Sequence, residues 1–163
     1  MWPFRKKPSW TEQYAQRLYD GLVAHNEFGN VNAITLRIPT AMHGAYQNKI
    51  LTQRETLCLA AVGATLEQGP ALKPVALEFM SLIMAKMSAR GLQLSQDQLT
   101  NIACDDLERL SADPLRWGRD WLAEFRSDPN DATMAALFGE HCLRLFKSYK
   151  NAIIQTRPTN LTC

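Results

Sequence analysis

The sequence TQRETLCLAAVGATL, residues 52–66, decides the fold class of this chain. Its centre, Leu57–Val62, is apolar on every side of a helix, because successive helical residues point about 100° apart. A helix that is apolar all round is buried among its neighbours. The stretch therefore predicts a central helix at about residues 53–68. Gly63 lies inside it and predicts a close approach by another helix, since glycine there costs about 1 kcal/mol relative to alanine.

Start signals divide the rest of the chain into further helices. Capping boxes begin at Ser9, Thr52 and Ser95, where the side chain of the first residue accepts a backbone amide. At Asp113 and Asp128, a capping aspartate is followed by the proline that favours the first helical position. Between these signals, apolar residues recur at the three- and four-residue spacing of one helix face. We expect an all-α fold, a compact bundle of six or seven helices around the central apolar helix.

The segment Val31–Ile38 departs from helical spacing. Its apolar residues Ile34, Leu36 and Ile38 alternate with polar ones, which is the period of a strand. The sequence offers no second strand to pair with it, and an isolated strand leaves its backbone groups without partners. We therefore expect either extended chain or a short helix that stops at Pro39.

The length and composition fit one helical domain with short ends. A chain of 163 residues, of which 46% are hydrophobic, can bury a core without disulfides or metals. We predict a basic and aromatic arm at residues 1–8, a single helical domain at residues 9–157 and a tail at residues 158–163.

The chemical motifs of common enzymes and metal sites are missing from the sequence. The four cysteines are widely spaced, and none has the Cys-x-x-Cys spacing of a zinc or redox site. Phosphate-binding glycine loops and the Gly-x-Ser-x-Gly elbow do not occur. No stretch has the apolar length of a signal peptide or a membrane span. We expect a cytoplasmic protein without metal or cofactor, and we consider catalysis disfavoured although not decided by these absences.

Charge is unevenly distributed along the chain, whose net charge is +2. Residues 1–10 hold three basic residues and no acid, and residues 140–163 hold four basic residues against one acid. The middle of the chain is acidic, and residues 97–131 hold nine acidic residues against four basic ones. Such asymmetry bears on the choice of partners rather than on the fold.

Two polar residues fall on the apolar sides of their helices. Asp106 lies on the inward side of the helix after Ser95, and His141 lies on the inward side of the last helix. A hydrogen-bonded pair of these residues would make a general base, which is the candidate catalytic site of the chain. No nucleophile can be placed beside them, and buried polar residues more often serve the structure. We favour structural roles for both.

The candidate partner-binding residues are basic, with aromatic neighbours at the start of the chain. Aromatic rings and cations together suit an anionic membrane surface, while an arm of this kind also suits a protein partner. The residues of the arm are Trp2, Phe4, Arg5, Lys6 and Lys7. On the outer side of the last helix, the candidates are Arg144, Lys147 and Lys150.

These observations favour a non-enzymatic interaction protein, namely an adaptor, an assembly factor or a subunit of a larger complex. Its partner would be another protein, and residues 1–8 would bring it to the cytoplasmic face of a membrane. Three alternatives stay open: an immunity or inhibitor protein with an acidic surface within residues 97–131, a small enzyme that uses Asp106 and His141, and a weak nucleic-acid binder. The last is disfavoured because the chain lacks a dense basic patch.

Overall fold

The computed structural model describes residues 6–24, 32–66, 73–125, 128 and 131–155, and these form helices and connecting turns without a strand among them. Its α-helices, in chain order, are α1 (Trp10–Leu18), α2 (His43–Leu66), α3 (Lys73–Ala89), α4 (Gln96–Ala112), α5 (Pro114–Leu122) and α6 (Ala132–Gln155). A π-helix, Tyr19–Ala24, continues α1, and a 3₁₀ turn, Thr40–Met42, leads into α2. The predicted all-α bundle is confirmed.

Helix α2 lies at the centre of the bundle. Every residue from Glu55 to Val62 is buried, as expected for a helix that is apolar on all sides. Helices α3, α4 and α6 and the π-helix all pack against α2. Large aromatic side chains such as Tyr46 and Tyr149 are also fully enclosed in the core. The central helix predicted from residues 52–66 is therefore the element around which the other helices assemble.

Helix α2 begins at His43, well before the start predicted at Thr52. Thr52 does not cap a helix, because its hydroxyl donates to the carbonyl of Asn48, one turn earlier, at 3.2 Å. Neither proline nor glycine occurs between Ala45 and Thr52, so nothing in the backbone interrupts the helix there. A Thr-x-x-Glu pattern marks a helix start only where the preceding chain is not already helical.

The serine capping boxes are confirmed. Oγ of Ser9 accepts the amide of Glu12, and Oγ of Ser95 accepts the amide of Gln98, each at 3.2 Å. In both cases the partner side chain accepts the serine amide in return. Asp113 caps α5 as predicted, with Pro114 in its first turn. Local sequence signals thus locate the starts of α1, α4 and α5.

The start of α6 lies after the predicted Asp128–Pro129 pair. Helix α6 begins at Ala132, and Oδ1 of Asp131 accepts the amide of Met134 at 3.1 Å. Asp131 therefore caps the helix in place of Asp128. An aspartate next to the first helical turn can reach its free amides, and one three residues earlier cannot serve the same amides.

Residues 32–38 form a single helical turn rather than extended chain. The amide of Ile38 donates to the carbonyl of Ala33 at 2.8 Å, and the amide of Arg37 donates to the carbonyl of Ile34 at 2.9 Å. These crossed bonds are those of a Schellman C-cap, a helix ending that usually contains glycine. Here Arg37 occupies the left-handed position, with φ of 54°.

The strand-like alternation of apolar residues in this segment does not reflect a strand. Leu36 and Ile38 are buried, whereas Ile34 is 77% exposed, so the apolar residues do not share one face. The short-helix alternative of the sequence analysis describes the segment better than the extended one. Gly91 forms the same kind of C-cap after α3, with φ of 87°.

Helices α1 and α3 lie side by side and run in the same direction. One open groove of about 700 Å³ is lined from both helices, by Glu12, Gln13, Ala15, Gln16 and Arg17 of α1 and by Glu78, Ser81 and Leu82 of α3. Just after α1, the ring of Tyr19 lies 5.4 Å from Nζ of Lys86, near the end of α3. Because the middle parts and the ends meet in the same order, the first turns of both helices lie at the same end of the pair.

Helices α5 and α6 approach so closely that no side chain fits between them at two positions. A Cβ atom on Gly118 would lie 2.1 Å from the carbonyl oxygen of Ala135, and one on Gly139 would lie 2.0 Å from the carbonyl oxygen of Pro114. Real atoms cannot come so near, so the contact requires glycine at both positions.

The close approach predicted at Gly63 is not found. Gly63 is exposed, and a Cβ atom there would meet nothing within 4 Å. That prediction was wrong. A glycine inside a helix shows that the helix tolerates the lower helix propensity of glycine, but it does not show that another helix lies close to it. The close approach occurs instead at Gly118 and Gly139, beside the stacked rings of Trp117 and Phe138, whose centroids lie 5.7 Å apart.

Candidate functional site

Asp106 joins three helices through hydrogen bonds from neutral donors. Its Oδ1 accepts Nε1 of Trp117 on α5, and its Oδ2 accepts Nε2 of Gln53 on α2, both at 2.7 Å. Oε1 of Gln53 accepts Nε1 of Trp121 at 3.0 Å. Both carboxylate oxygens therefore have partners. The network also gives an acceptor to each of the two indole N–H groups, which the aromatic core would otherwise leave without one.

His141 is not part of this network. It is 6% exposed, and among the described residues no hydrogen bond joins it to Asp106. Burial, followed by the cations of Arg144 and Arg54, lowers the pKa of His141 to about 4. The imidazole is therefore neutral at neutral pH. The structure does not bring the two candidate catalytic residues together as a hydrogen-bonded pair.

Glu55, assigned to a helix cap from its sequence pattern, belongs to a buried ion pair. Its side chain is completely buried, and its two oxygens accept both terminal nitrogens of Arg90, with Nη1 at 2.8 Å from Oε1. The hydroxyl of Tyr19 also donates to Oε1, at 2.8 Å. Burial and this bond to the Glu55 carboxylate raise the pKa of Tyr19 to about 12. The cluster joins α2 to the π-helix and to the end of α3.

One signal in the sequence could have revealed this cluster. Glu55 lies two residues before the apolar run Leu57–Val62, whose helix is buried on all sides. A charged residue at such a place needs a buried partner of opposite charge, because an unpaired buried carboxylate is very unfavourable. The identity of the partner could not be read, since Arg90 is far away in sequence.

The charged residues that the structure describes in an open groove beside this ion pair are all paired. The groove has a volume of about 720 Å³, and Thr52, Arg90, Lys49 and Glu124 are among its lining residues. Arg90 is bound to Glu55, and Nζ of Lys49 lies 2.8 Å from the carboxylate of Glu124. Among its described lining residues, the groove therefore offers no free cation to an anionic ligand.

The basic residues predicted on the last helix do share its outer side. Arg144 and Lys147 are exposed, and Lys150 is half-buried. The carboxylate of Glu140 lies 3.9 Å from Arg144, with both side chains mainly in solvent. Within the described ranges, no carboxylate pairs with Lys147 or Lys150. The structure thus brings together all three predicted residues of α6 and leaves two of their charges uncompensated.

Aliphatic residues flank these lysines on the same side of α6. Leu143, Lys147, Lys150 and Ile154 follow at the three- and four-residue spacing that forms a ridge on a helix, and we call this set the α6 ridge. Leu143 and Ile154 are half-buried. The most deeply buried residues of α6, Phe138, Leu145 and Tyr149, lie on the opposite side of the helix, and Leu143 borders the core at the edge of the ridge.

The arm is described only in part. Lys6 and Lys7 are exposed, and the carbonyl of Pro8 accepts Nε2 of Gln13 at 2.9 Å, which fixes the point where the arm meets α1. The other predicted binding residues of the arm, Trp2, Phe4 and Arg5, lie outside the described residues.

Neither a membrane-spanning helix nor a metal site is found among the described residues. In the part of the chain that the structure describes, none of the helices has the length and apolar character needed to cross a bilayer. The same residues include no group of three or more histidine, cysteine, aspartate or glutamate side chains placed to hold a metal ion.

Comparison with other proteins does not assign the chain to a family. No family model, no curated protein and no solved structure matches it.

Proposed function

We propose that this chain is a non-enzymatic interaction protein that binds an acidic surface of another protein through the α6 ridge. Such a protein serves as an adaptor, an assembly factor or a subunit of a larger complex. The observation that carries the proposal is the pair of uncompensated lysines, Lys147 and Lys150, placed between the half-buried side chains of Leu143 and Ile154. Aliphatic residues supply the contact area, and the charges select and orient the partner.

A protein partner fits the α6 ridge better than a nucleic acid does. Phosphate recognition uses many cations along a surface, whereas this helix face carries Arg144, Lys147 and Lys150 with aliphatic residues between them. The acidic middle of the chain would also repel a long nucleic acid. We therefore rank nucleic-acid binding below protein binding.

The alternative of an acidic inhibitor surface has weaker support. Most acidic residues of 97–131 already bond within the chain: Asp106, Asp113, Asp120, Glu124 and Asp131 all have partners. The exposed residues Asp97, Asp105 and Glu108 on α4 are what such a surface would have to use. An enzyme based on Asp106 and His141 has no support from the geometry, because the two residues are not hydrogen-bonded to each other.

The proposal includes a cytoplasmic location beside a membrane. Its support is the exposure of Lys6 and Lys7 next to Trp10, which is itself 47% exposed. Cations and an indole ring at one place are typical of segments that rest on anionic bilayers.

The α6 ridge can be tested by charge reversal. The unmodified chain, used as bait in an extract of its native host, should capture an acidic protein that mass spectrometry identifies. The double substitution Lys147→Glu with Lys150→Glu should weaken the binding of that purified partner by about tenfold or more, since like charges then face each other. Binding by the unmodified chain should also weaken as salt is added.

A matched control separates the ridge from general charge effects. Arg116 and Arg119 are exposed on α5 at the same three-residue spacing, so their double replacement by glutamate changes net charge equally. That variant should bind the partner normally. Equal losses in both double variants, or no loss in either, would contradict the proposal, and a salt-dependent gel shift with the unmodified chain would favour nucleic acid instead.

A further inference from the structure

The first turns of α1 and α3 form one end of the molecule's parallel helix pair. Three basic and two large apolar residues are exposed there, and we call them the helix-start surface: Lys6, Lys7, Trp10, Lys73 and Leu77. Trp10 and Lys73 are the first residues of their helices, and Leu77 follows one turn later. The α6 ridge uses none of these residues.

The apolar part of the helix-start surface consists of two large side chains. Trp10 and Leu77 are each 47% exposed. The ring of Trp10 tilts against that of Tyr14, with centroids 6.5 Å apart, which orients the indole on the helix. Apolar groups that are exposed together and bordered by charge are typical of interaction sites.

The charged part consists of Lys6, Lys7 and Lys73. Two carboxylates lie further along the helices, Glu12 on α1 and Glu78 on α3. Glu12 is engaged in the α1 cap, where the amide and hydroxyl of Ser9 lower the pKa of its carboxyl and Lys6 lowers it further. The extreme end of the helix pair is therefore basic, and an anionic surface complements it.

The groove between α1 and α3 does not account for these residues. Trp10 and Leu77 are not among its lining residues, which combine polar side chains such as Glu12, Gln16 and Glu78 with the apolar Pro8, Ala15 and Leu82. An apolar peptide seated in that groove would thus leave Trp10 and Leu77 unused. A flat, fluid surface contacts exposed apolar and basic groups without requiring a shaped cavity.

We propose that the helix-start surface docks on an anionic lipid bilayer, with Trp10 and Leu77 at the level of the headgroups and the three lysines against lipid anions. This inference deepens the membrane part of the proposed function and does not depend on the α6 ridge. Indole rings favour the interface between water and hydrocarbon, and lysines near an anionic leaflet are attracted to it. Directly upstream in sequence, Trp2, Phe4 and Arg5 supply the same chemistry.

Vesicle sedimentation tests the proposal with the full chain. The protein should sediment with vesicles of phosphatidylcholine mixed with phosphatidylserine, not with phosphatidylcholine alone, and should be released by salt. Each lysine contributes about fivefold to the partition coefficient, so Lys73→Glu should lower it by at least that factor. The double variant Trp10→Ala with Leu77→Ala should also lower the partition coefficient relative to the unmodified chain, although its net charge is unchanged.

Fluorescence reports directly on Trp10. Of the four tryptophans, Trp117 and Trp121 are buried, so replacing Trp2 by phenylalanine leaves Trp10 as the exposed one. In that variant, brominated acyl chains in anionic vesicles should quench part of the emission. The additional change Trp10→Phe should remove the lipid-dependent quenching.

Controls separate the helix-start surface from the arm and from the α6 ridge. Leu115→Ala, on α5 and 37% exposed, should bind vesicles normally, as should Lys147→Glu with Lys150→Glu. Circular dichroism confirms that each variant is folded. The proposal is overturned if the unmodified chain ignores anionic vesicles at low salt. It is also overturned if deletion of residues 1–5 abolishes binding while the Lys73 and Trp10–Leu77 variants bind normally.

Discussion

His141 shows how the surroundings of a side chain set its charge. The imidazole lies at the inward side of α6, and the guanidinium groups of Arg144 from α6 and Arg54 from α2 act on it electrostatically. Burial and these cations act in the same direction, against a proton on the ring. The residue is a neutral core histidine.

The neutral state of His141 makes the stability of the protein pH-dependent. The pKa is 6.5 in the unfolded chain and about 4 in the folded one, so between these values only the unfolded chain takes up the proton. The contribution of His141 to the free energy of unfolding is therefore fully present at pH values well above 6.5, and it declines as the pH falls toward 4. Between pH 7 and pH 5 we expect a loss of roughly 1–2 kcal/mol in the free energy of unfolding from this residue.

Urea denaturation at the two pH values measures that loss. His141→Gln, which has no proton to gain, should show a correspondingly smaller decline than the unmodified chain. Equal declines in the two proteins would show that His141 does not differ between the folded and unfolded states.

Sequence patterns identified the inward position of Asp106 and His141 but not their partners. Position on a helix face follows from local spacing, whereas the contacts of Asp106 with Gln53 and Trp117 depend on how α2, α4 and α5 pack. The sequence contained two buried indole donors that needed acceptors, and the carboxylate of Asp106 supplies one. Such pairing is a property of the tertiary structure.

The contact between α5 and α6 predicts opposite effects for the same substitution at different glycines. Gly118→Ala and Gly139→Ala place a Cβ atom against a backbone carbonyl, so each should lower the free energy of unfolding by about 3 kcal/mol. Gly63→Ala meets no neighbouring atom and should raise it by about 1 kcal/mol.

Chemical denaturation of the three single variants measures these differences. Stabilisation by Gly118→Ala or Gly139→Ala would mean that the helices lie further apart than the structure indicates. A loss at Gly63 would show that α2 does not tolerate a side chain on its exposed side.

The existence of the helices was predictable, and some of their boundaries were not. Serine caps are local, so the starts at Ser9 and Ser95 could be found from a few residues. The false start at Thr52 arose because the same pattern occurs inside a continuous helix. The end of the helical turn at Arg37 could not be predicted, because the left-handed position that closes such a turn is normally occupied by glycine.

The whole molecule has two sides joined by α2. On one side, α1 makes its most extensive contacts with α3, and on the other, α5 makes its most extensive contacts with α6. Helix α2 packs on both sides. The cluster of Glu55, Arg90 and Tyr19 joins α2 to the first side, so its loss should loosen that side before the other.

Hydrogen exchange tests this arrangement through Glu55→Gln. Removing one partner of a buried ion pair costs about 3 kcal/mol or more, because the remaining charge stays buried. Amides of α1 and α3 should exchange faster in the variant, while those of α5 and α6 keep more of their protection. Asp120→Asn breaks the exposed pair with Arg109 and should change little. Uniform loss of protection across all helices would instead indicate one cooperative unit.

The charge asymmetry of the chain was visible in the sequence, but its spatial grouping was not. Lys73 lies far from Lys6 in sequence, and the parallel course of α1 and α3 places both at one end of the helix pair. This arrangement depends on the path of the chain between the two helices, which local patterns do not specify.

The reciprocal contact between Gly118 and Gly139 also limits how far relatives of this chain can diverge. Each glycine follows, by four positions, the residue whose carbonyl the other glycine meets, and each is directly preceded by an aromatic ring. Surface residues can drift and core residues can exchange within their size class, but a side chain at either glycine would force the backbones apart. A distant descendant that keeps this helix pair should therefore keep both glycines after most other resemblance has been lost.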